Sequence, residues 1–211
     1  MENSLSLFTF LIEVIIISLS GVMAPGPITA VTIGKGNKSP HAGIMIAMGH
    51  GIIEFPLMLL IFFGFGFLFK INYVKPAIAF IGGLLLLYMS IGMLQNIKVE
   101  QDSLNNDKSS SLKAGIFLSA GNPYFLIWWA TIGATIILRS VEFGILGFLL
   151  FAIIHWSCDF LWLYFLSTLS FKGSQFFGRN FQKISFIICA ILLMFFSFKF
   201  IIDAIITFLK H

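Results

Sequence analysis

The chain has 211 residues, of which 58% are hydrophobic and only 10% charged, with 26 Phe and a mean hydropathy of +0.99. Soluble domains carry about 25% charged residues, so this composition excludes an ordinary soluble enzyme or binding module and points to an all-α integral membrane protein. The net charge of +4 does not imply nucleic acid, because the Lys and Arg residues are scattered over short loops instead of forming one stripe.

Apolar runs fall at about residues 5–34, 41–69, 76–95, 113–138, 141–170 and 183–209. Each reaches the ~20 residues that a bilayer-spanning helix needs, so six transmembrane helices are predicted. The first run is not read as a signal peptide: Glu2 and no Lys or Arg precede it, and it outlasts an apolar region of about 7–15 residues. Lys35, Lys38, Lys98, Lys108, Lys113, Lys172, Arg179 and Lys183 lie on one side, and Lys70, Lys75, Arg139 and Lys210 on the other. The excess of positive charge assigns the first side to the cytoplasm and both termini to the outside of the cell membrane.

Within the first run, Pro25, Gly26 and Pro27 interrupt a stretch otherwise fit for an unbroken helix, since proline removes a backbone donor and clashes with the preceding turn. The second run carries His50 and Glu54 four residues apart, and a ridge of Gly43, Ala47 and Gly51 that allows close helix approach. Gly82 and Gly83 suggest the same for the third. The fourth run is interrupted at Gly121, Asn122 and Pro123, followed by Tyr124, Trp128 and Trp129. These aromatics read as interface anchors, although Trp128 is near enough to the break to wall a cavity. The fifth carries His155 and Asp159, again four apart, and the sixth carries Lys199 and Asp203, read as a structural pair. Glu13 is expected to be solvated near the outer interface. Cys158 and Cys189 sit in apolar runs and read as small buried thiols, without a disulfide or metal role.

The polar linker 96–111 divides a single transmembrane domain, 1–211, into three-helix halves, 1–95 and 112–211. An odd number of spans per half means that related halves sit upside down with respect to each other. Two features echo between them: the interruption at Pro25–Pro27 is answered at Gly121–Pro123, and His50/Glu54 by His155/Asp159. Two inverted three-helix repeats with broken first and fourth helices are a signature of secondary transporters, whose substrate site lies at the midplane. Broken backbone survives at membrane depth only where protein or a water-filled cavity satisfies it. Pro25, Gly26, Pro27, Gly121, Asn122, Pro123 and Trp128 are therefore the expected substrate cradle. Half-helix ends there offer N–H groups to a carboxylate and carbonyls to an ammonium, as a zwitterionic amino acid requires.

Glu54 lies roughly 20 Å from the start of its helix, near the centre of a ~30 Å core. A charge there costs at least ~2.5–3.5 kcal/mol, so such a residue faces the bundle interior and is by default a functional one. His50, Glu54, His155 and Asp159 supply the proton-coupling groups of an exporter. The same four donors would alternatively suit a divalent metal such as Zn or Mn as cargo. A non-transporting scaffold is a third class, in which these residues form only interhelical hydrogen bonds. No Gly-x-Ser-x-Gly, P-loop or His-Glu-x-x-His occurs, so neither an enzyme nor an ATP-driven pump is expected, and no cofactor is implied. Exposed small-residue faces permit a homodimer.

Pro25-Gly-Pro27, the basic turn Gly34–Lys38, Ala42, Gly43 and Gly49 resemble the first half of the LysE/RhtB family of amino-acid exporters. Gly121-Asn-Pro-Tyr-Phe-Leu-Ile-Trp-Trp129 resembles the family's second motif. This resemblance implies a six-helix exporter that moves amino acids or related small solutes outward by proton exchange. Glu54 replaces the Asp often found in that family, and His50 and His155 are not general features of it. The wider superfamily includes divalent-metal transporters, which keeps the second cargo in play.

Overall fold

Each of the two interruptions makes a helix start afresh. In the computed structural model, which describes residues 2–24, 26–64, 74–99 and 108–209, α1 (Glu2–Val22) and α2 (Pro27–Gly36) differ in direction by 76°. Pro25 lies outside the described residues. Gly26 caps α2 in extended conformation (φ −163°, ψ −177°), and Pro27 is the first helical residue. That is the expected arrangement, because proline drives the residue before it out of the helical region while fitting the first helical turn itself. The second interruption repeats it. After α5 (Lys108–Ala120), Asn122 is extended (φ −99°, ψ 104°) and its side chain accepts a hydrogen bond from the Tyr124 backbone N–H at 3.0 Å. Pro123 then opens α6 (Pro123–Trp128).

The other elements are α3 (Ala42–Phe62), α4 (Val74–Val99), a π-helical turn (Trp129–Gly133), α7 (Ala134–Val141) and α8 (Gly144–Leu209). No strand occurs among the described residues. Four helical stretches are long and apolar enough to cross a membrane: Ala42–Phe62, Tyr124–Val141, Gly144–Phe177 and Ala190–Leu209. The bent pair α1–α2 counts as a fifth if taken as one span. The sequence predicts six; the remaining run falls on α4, of which Ala79–Tyr88 is an apolar helical stretch among the described residues. The fourth run also departs from expectation, being divided into α5, α6, the π turn and α7 by the break at its centre. The described part of the linker joins the flanking helices, and residues 100–107 lie outside the description.

Although α8 is helical throughout, it is not one rod. Leu163 and Phe196 line the same cavity, yet 33 helical residues at ~1.5 Å each would hold them about 50 Å apart. The chain therefore doubles back between Gly144–Phe177 and Ala190–Leu209. The first arm runs along α1 and α2, with Ser18 at His155 and Asn37 at Ser170 and Ser174. The second runs against α4, where Ser90 and Ser197 donate to the carbonyls of Ala190 and Gly83.

Glycines set these spacings. A Cβ on Gly43 would strike the Leu163 carbonyl, one on Gly49 the Leu112 carbonyl, and one on Gly82 the Gly121 carbonyl. Gly82 thus lays α4 directly over the second break. Gly83 meets Ser197 and Ile201, and Gly51 makes room for the Trp156 indole, which donates to the Ala47 carbonyl at 3.3 Å. Large apolar side chains such as Ile16, Ile81, Leu138 and Leu161 cover the outside, as a lipid-facing surface requires. The molecule is a multi-pass membrane protein.

Candidate functional site

A cavity of about 690 Å³ opens where the two interruptions meet. Ala24, Gly26 and Pro27 of the first line it, with Asn122 and Tyr124 of the second. Of the remaining predicted cradle residues, Trp128 lines the wall, while Gly121 stands against Gly82 of α4 and is not among the lining residues. The backbone of Pro123 opens α6.

Four titratable side chains share one wall. His50 and Glu54 are brought from α3 and His155 and Asp159 from α8, and all four are buried. They close into a ring. Oε1 of Glu54 lies 3.1 Å from Nε2 of His50 and 3.2 Å from Nε2 of His155, so one oxygen is shared by both imidazoles. Asp159 completes the ring, at 3.6 Å from each imidazole Nε2. Spacing of four accounts for the contacts within each helix. The cross-contacts depend on the antiparallel register of α3 and α8 set by Gly43 and Gly51.

Serines from two further helices hold the imidazoles from behind. Nδ1 of His155 is 2.7 Å from Oγ of Ser18, and Nδ1 of His50 is 2.6 Å from Oγ of Ser119. The Ser119 hydroxyl donates its only proton to the Gly115 carbonyl at 2.6 Å. Towards His50 it can only accept, so Nδ1 of His50 carries a proton. The proton between Nε2 and Glu54 then resides on one partner or the other: imidazolium beside carboxylate, or imidazole beside carboxylic acid. Oε2 of Glu54 and Oδ2 of Asp159 are buried without a hydrogen-bond partner. Such orphaned acceptors are costly, and on a cavity wall they are positioned for a proton or a cationic group of a cargo.

Aromatic rings fix the imidazoles. Trp128 stacks on His155 at 5.1 Å and 25°, Trp129 meets its edge at 5.1 Å, and Phe125 meets His50 edge-on at 5.0 Å. The π turn supports this, because a Cβ on Gly133 would collide with the fully buried Trp129 ring. Ser18, Ser119 and Phe125 are not singled out by the sequence, and Trp129, read there as an interface anchor, is instead fully buried. A lone Ser in an apolar helix carries no signal, since it usually bonds its own preceding turn.

The other charged residues separate into two kinds. Glu13 meets Arg139 at 2.7 Å with both partly exposed, and Arg139 lies over the Phe10 ring. Lys199 does not form the predicted ion pair with Asp203. Its ammonium sits 5.2 Å from the centre of the Tyr124 ring, and the residue lines the cavity. Cys158 is buried as expected, and the side chain of Cys189 lies outside the described residues.

Residues 19–204 match the LysE type translocator family. The chain belongs to that family. It is also similar to a Bacillus subtilis (strain 168) protein named "Putative amino acid efflux protein YcgF", with 28% identity over 134 residues. The alignment takes in 61% of this chain and 64% of that protein's length. No solved structure matches. Family membership accords with apolar helices arranged around a central cavity, and the matched range takes in both interruptions and all four ring residues.

Proposed function

We propose that the chain is a secondary active exporter of amino acids or related small metabolites across the cytoplasmic membrane, coupled to protons. The observation that carries this reading is the buried ring of His50, Glu54, His155 and Asp159 on the wall of a cavity where two broken helices meet. The relative's name supports the cargo class, and the ring supports the coupling. On this reading the chain forms six spans as two inverted three-helix repeats, 1–95 and 112–211, joined by 96–111, with both termini outside. Gly26, Pro27, Asn122 and Trp128 contact cargo, and Pro25, Gly121 and Pro123 shape the breaks.

The ring serves as a coupling device because one proton can sit on either side of the His50–Glu54 contact. A proton arriving from outside neutralises one carboxylate of the ring; its release toward the cytoplasm restores that charge. If cargo ammonium binds only the ionised ring, proton and cargo alternate at one place, which is the requirement for exchange.

The test uses purified protein in liposomes loaded with a panel of labelled amino acids. An imposed pH gradient is expected to drive efflux of at least one, and Glu54→Gln to abolish gradient-driven flux while exchange at equal pH persists. Unchanged gradient-driven flux in Glu54→Gln would remove the ring from the coupling role.

A second reading, divalent metal as cargo, is favoured by one observation: His50, Glu54 and Asp159 can bring donor atoms within 4.8 Å of one another. It predicts that purified protein binds Zn or Mn and gains thermal stability from either, and that His50→Ala and His155→Ala weaken both effects. Absence of binding rejects it.

A further inference from the structure

Lys199 stands out among the cavity residues that the coupling ring leaves unused. It lies at the middle of the apolar stretch Ala190–Leu209, about 14 Å from either end at ~1.5 Å per residue. A lysine facing lipid at that depth is costly, and ionisable residues there characteristically face a cavity and serve it. Lys199 does so: it lines the cavity beside Tyr124, makes no ion pair with Asp203, and rests its ammonium over the Tyr124 ring. The Tyr124 hydroxyl also engages the ammonium, and an ammonium has three N–H groups, so the remaining ones can turn to an incoming anion. Among the described lining residues it is the one permanent cation.

The opposite charge lies on the ring wall. From Lys199 the path runs through Tyr124 to its neighbour Phe125, whose ring touches His50. The lining also includes the apolar Phe125, Ile132, Phe196 and Trp128.

Resting on the translocator reading, we infer that Lys199 anchors the cargo carboxylate and that the cavity prefers an amino acid with an apolar side chain. The carboxylate pairs with Lys199, and the apolar side chain lies along the aromatic lining of Phe125, Phe196 and Trp128. A basic side chain brings a second positive charge towards Lys199, and an acidic one finds no second permanent cation among the described lining residues. Lys199 is therefore a specificity-determining residue.

The test compares leucine and phenylalanine with leucinamide and phenylalaninamide, which lack the carboxylate charge, and with lysine and glutamate. Binding to purified protein in nanodiscs is read from the fluorescence change of Trp128 on the cavity wall, with a Trp128→Phe control, and flux is read in liposomes. Wild type is expected to prefer each apolar acid over its amide by about tenfold, the effect of one charge-assisted contact, and to bind leucine or phenylalanine more tightly than lysine or glutamate. Lys199→Gln should erase the acid-over-amide preference, raising KM for the acids about tenfold with little change in kcat, and Lys199→Arg should restore it. Asp203→Asn, off the cavity lining, should keep the preference. Equal affinity for acid and amide in wild type, an undiminished preference in Lys199→Gln, or the same loss in Asp203→Asn overturns the assignment even if amino-acid transport is intact. Conversely, carboxylate-selective binding through Lys199 without transport of any amino acid would sustain the anchor and overturn the exporter reading.

Discussion

At His50 the hydroxyl of Ser119 decides where protons can sit. Because that hydroxyl is committed to the Gly115 carbonyl, Nδ1 must donate, and only the Nε2 side faces the ring. Ser18 has no such commitment, so His155 is free to be held in either tautomer. The two halves of the ring are alike in composition but not in freedom. Removing Ser119 leaves the Nδ1 proton without a partner in dry helix packing, and an unsatisfied buried donor costs about 1–3 kcal/mol. Ser119→Ala is therefore expected to lower the thermal midpoint of the purified protein by several degrees; an unaltered midpoint would mean that His50 is not locked in this way. At this scale the sequence discloses only part of the site. The pairs His50/Glu54 and His155/Asp159 are legible from their spacing and depth. Their closure into one ring is not, because it depends on the register between α3 and α8, which is fixed by Gly43 against Leu163 and Gly51 against Trp156. Lys199 is misread for a related reason: helical spacing suggests Asp203, while the tertiary fold offers Tyr124.

The interruptions are legible as elements, since proline after an extended residue dictates them locally. Their different packing is not. Gly26 stands in open surroundings, where an added Cβ would come no closer than 4.0 Å to the Ala24 carbonyl, and its φ of −163° is ordinary extended backbone. Gly82 has no such room, because its Cβ would run into the Gly121 carbonyl at the second break. The two glycines should thus respond oppositely to the same change. Gly26→Ala is expected to leave stability within about 0.5 kcal/mol of wild type, whereas Gly82→Ala should cost about 1–3 kcal/mol as overpacking, read as thermal unfolding in detergent. Equal effects would mean that α4 does not seat on the break. The π turn is likewise hidden from sequence. A Trp pair followed by Gly133 has no pattern of its own, yet the missing side chain at Gly133 is what lets the Trp129 ring fold back against His155.

For the whole molecule, the lipid-facing composition, the central cavity and family membership all follow from the sequence, while the proposed inverted relation of the halves rests on counting spans. That count is hard to make from helices alone, since the last two arms, Gly144–Phe177 and Ala190–Leu209, belong to one continuous helix that doubles back. Labelling decides it. Lys38 and Glu142 occupy corresponding turns, one after the first broken helix and one after the second, and both are exposed. Parallel repeats would put these turns on the same side of the membrane; inverted repeats put them on opposite sides. The contacts favour the second arrangement, because Asn37 beside Lys38 is tied to Ser174 near the C-terminal end of the arm Gly144–Phe177, whereas Glu142 lies just before that arm's first residue. Lys35, Lys38, Lys113 and Lys172 give the first side the greater positive charge, which on the proposed reading puts it in the cytoplasm. In a Cys158→Ser, Cys189→Ser background, Glu142→Cys is expected to react with an impermeant maleimide in intact cells, and Lys38→Cys only in inside-out vesicles. Reversed labelling would overturn the orientation but preserve the inversion; labelling of both from one side would break the inversion, and with it the pairing of two upside-down halves around the ring.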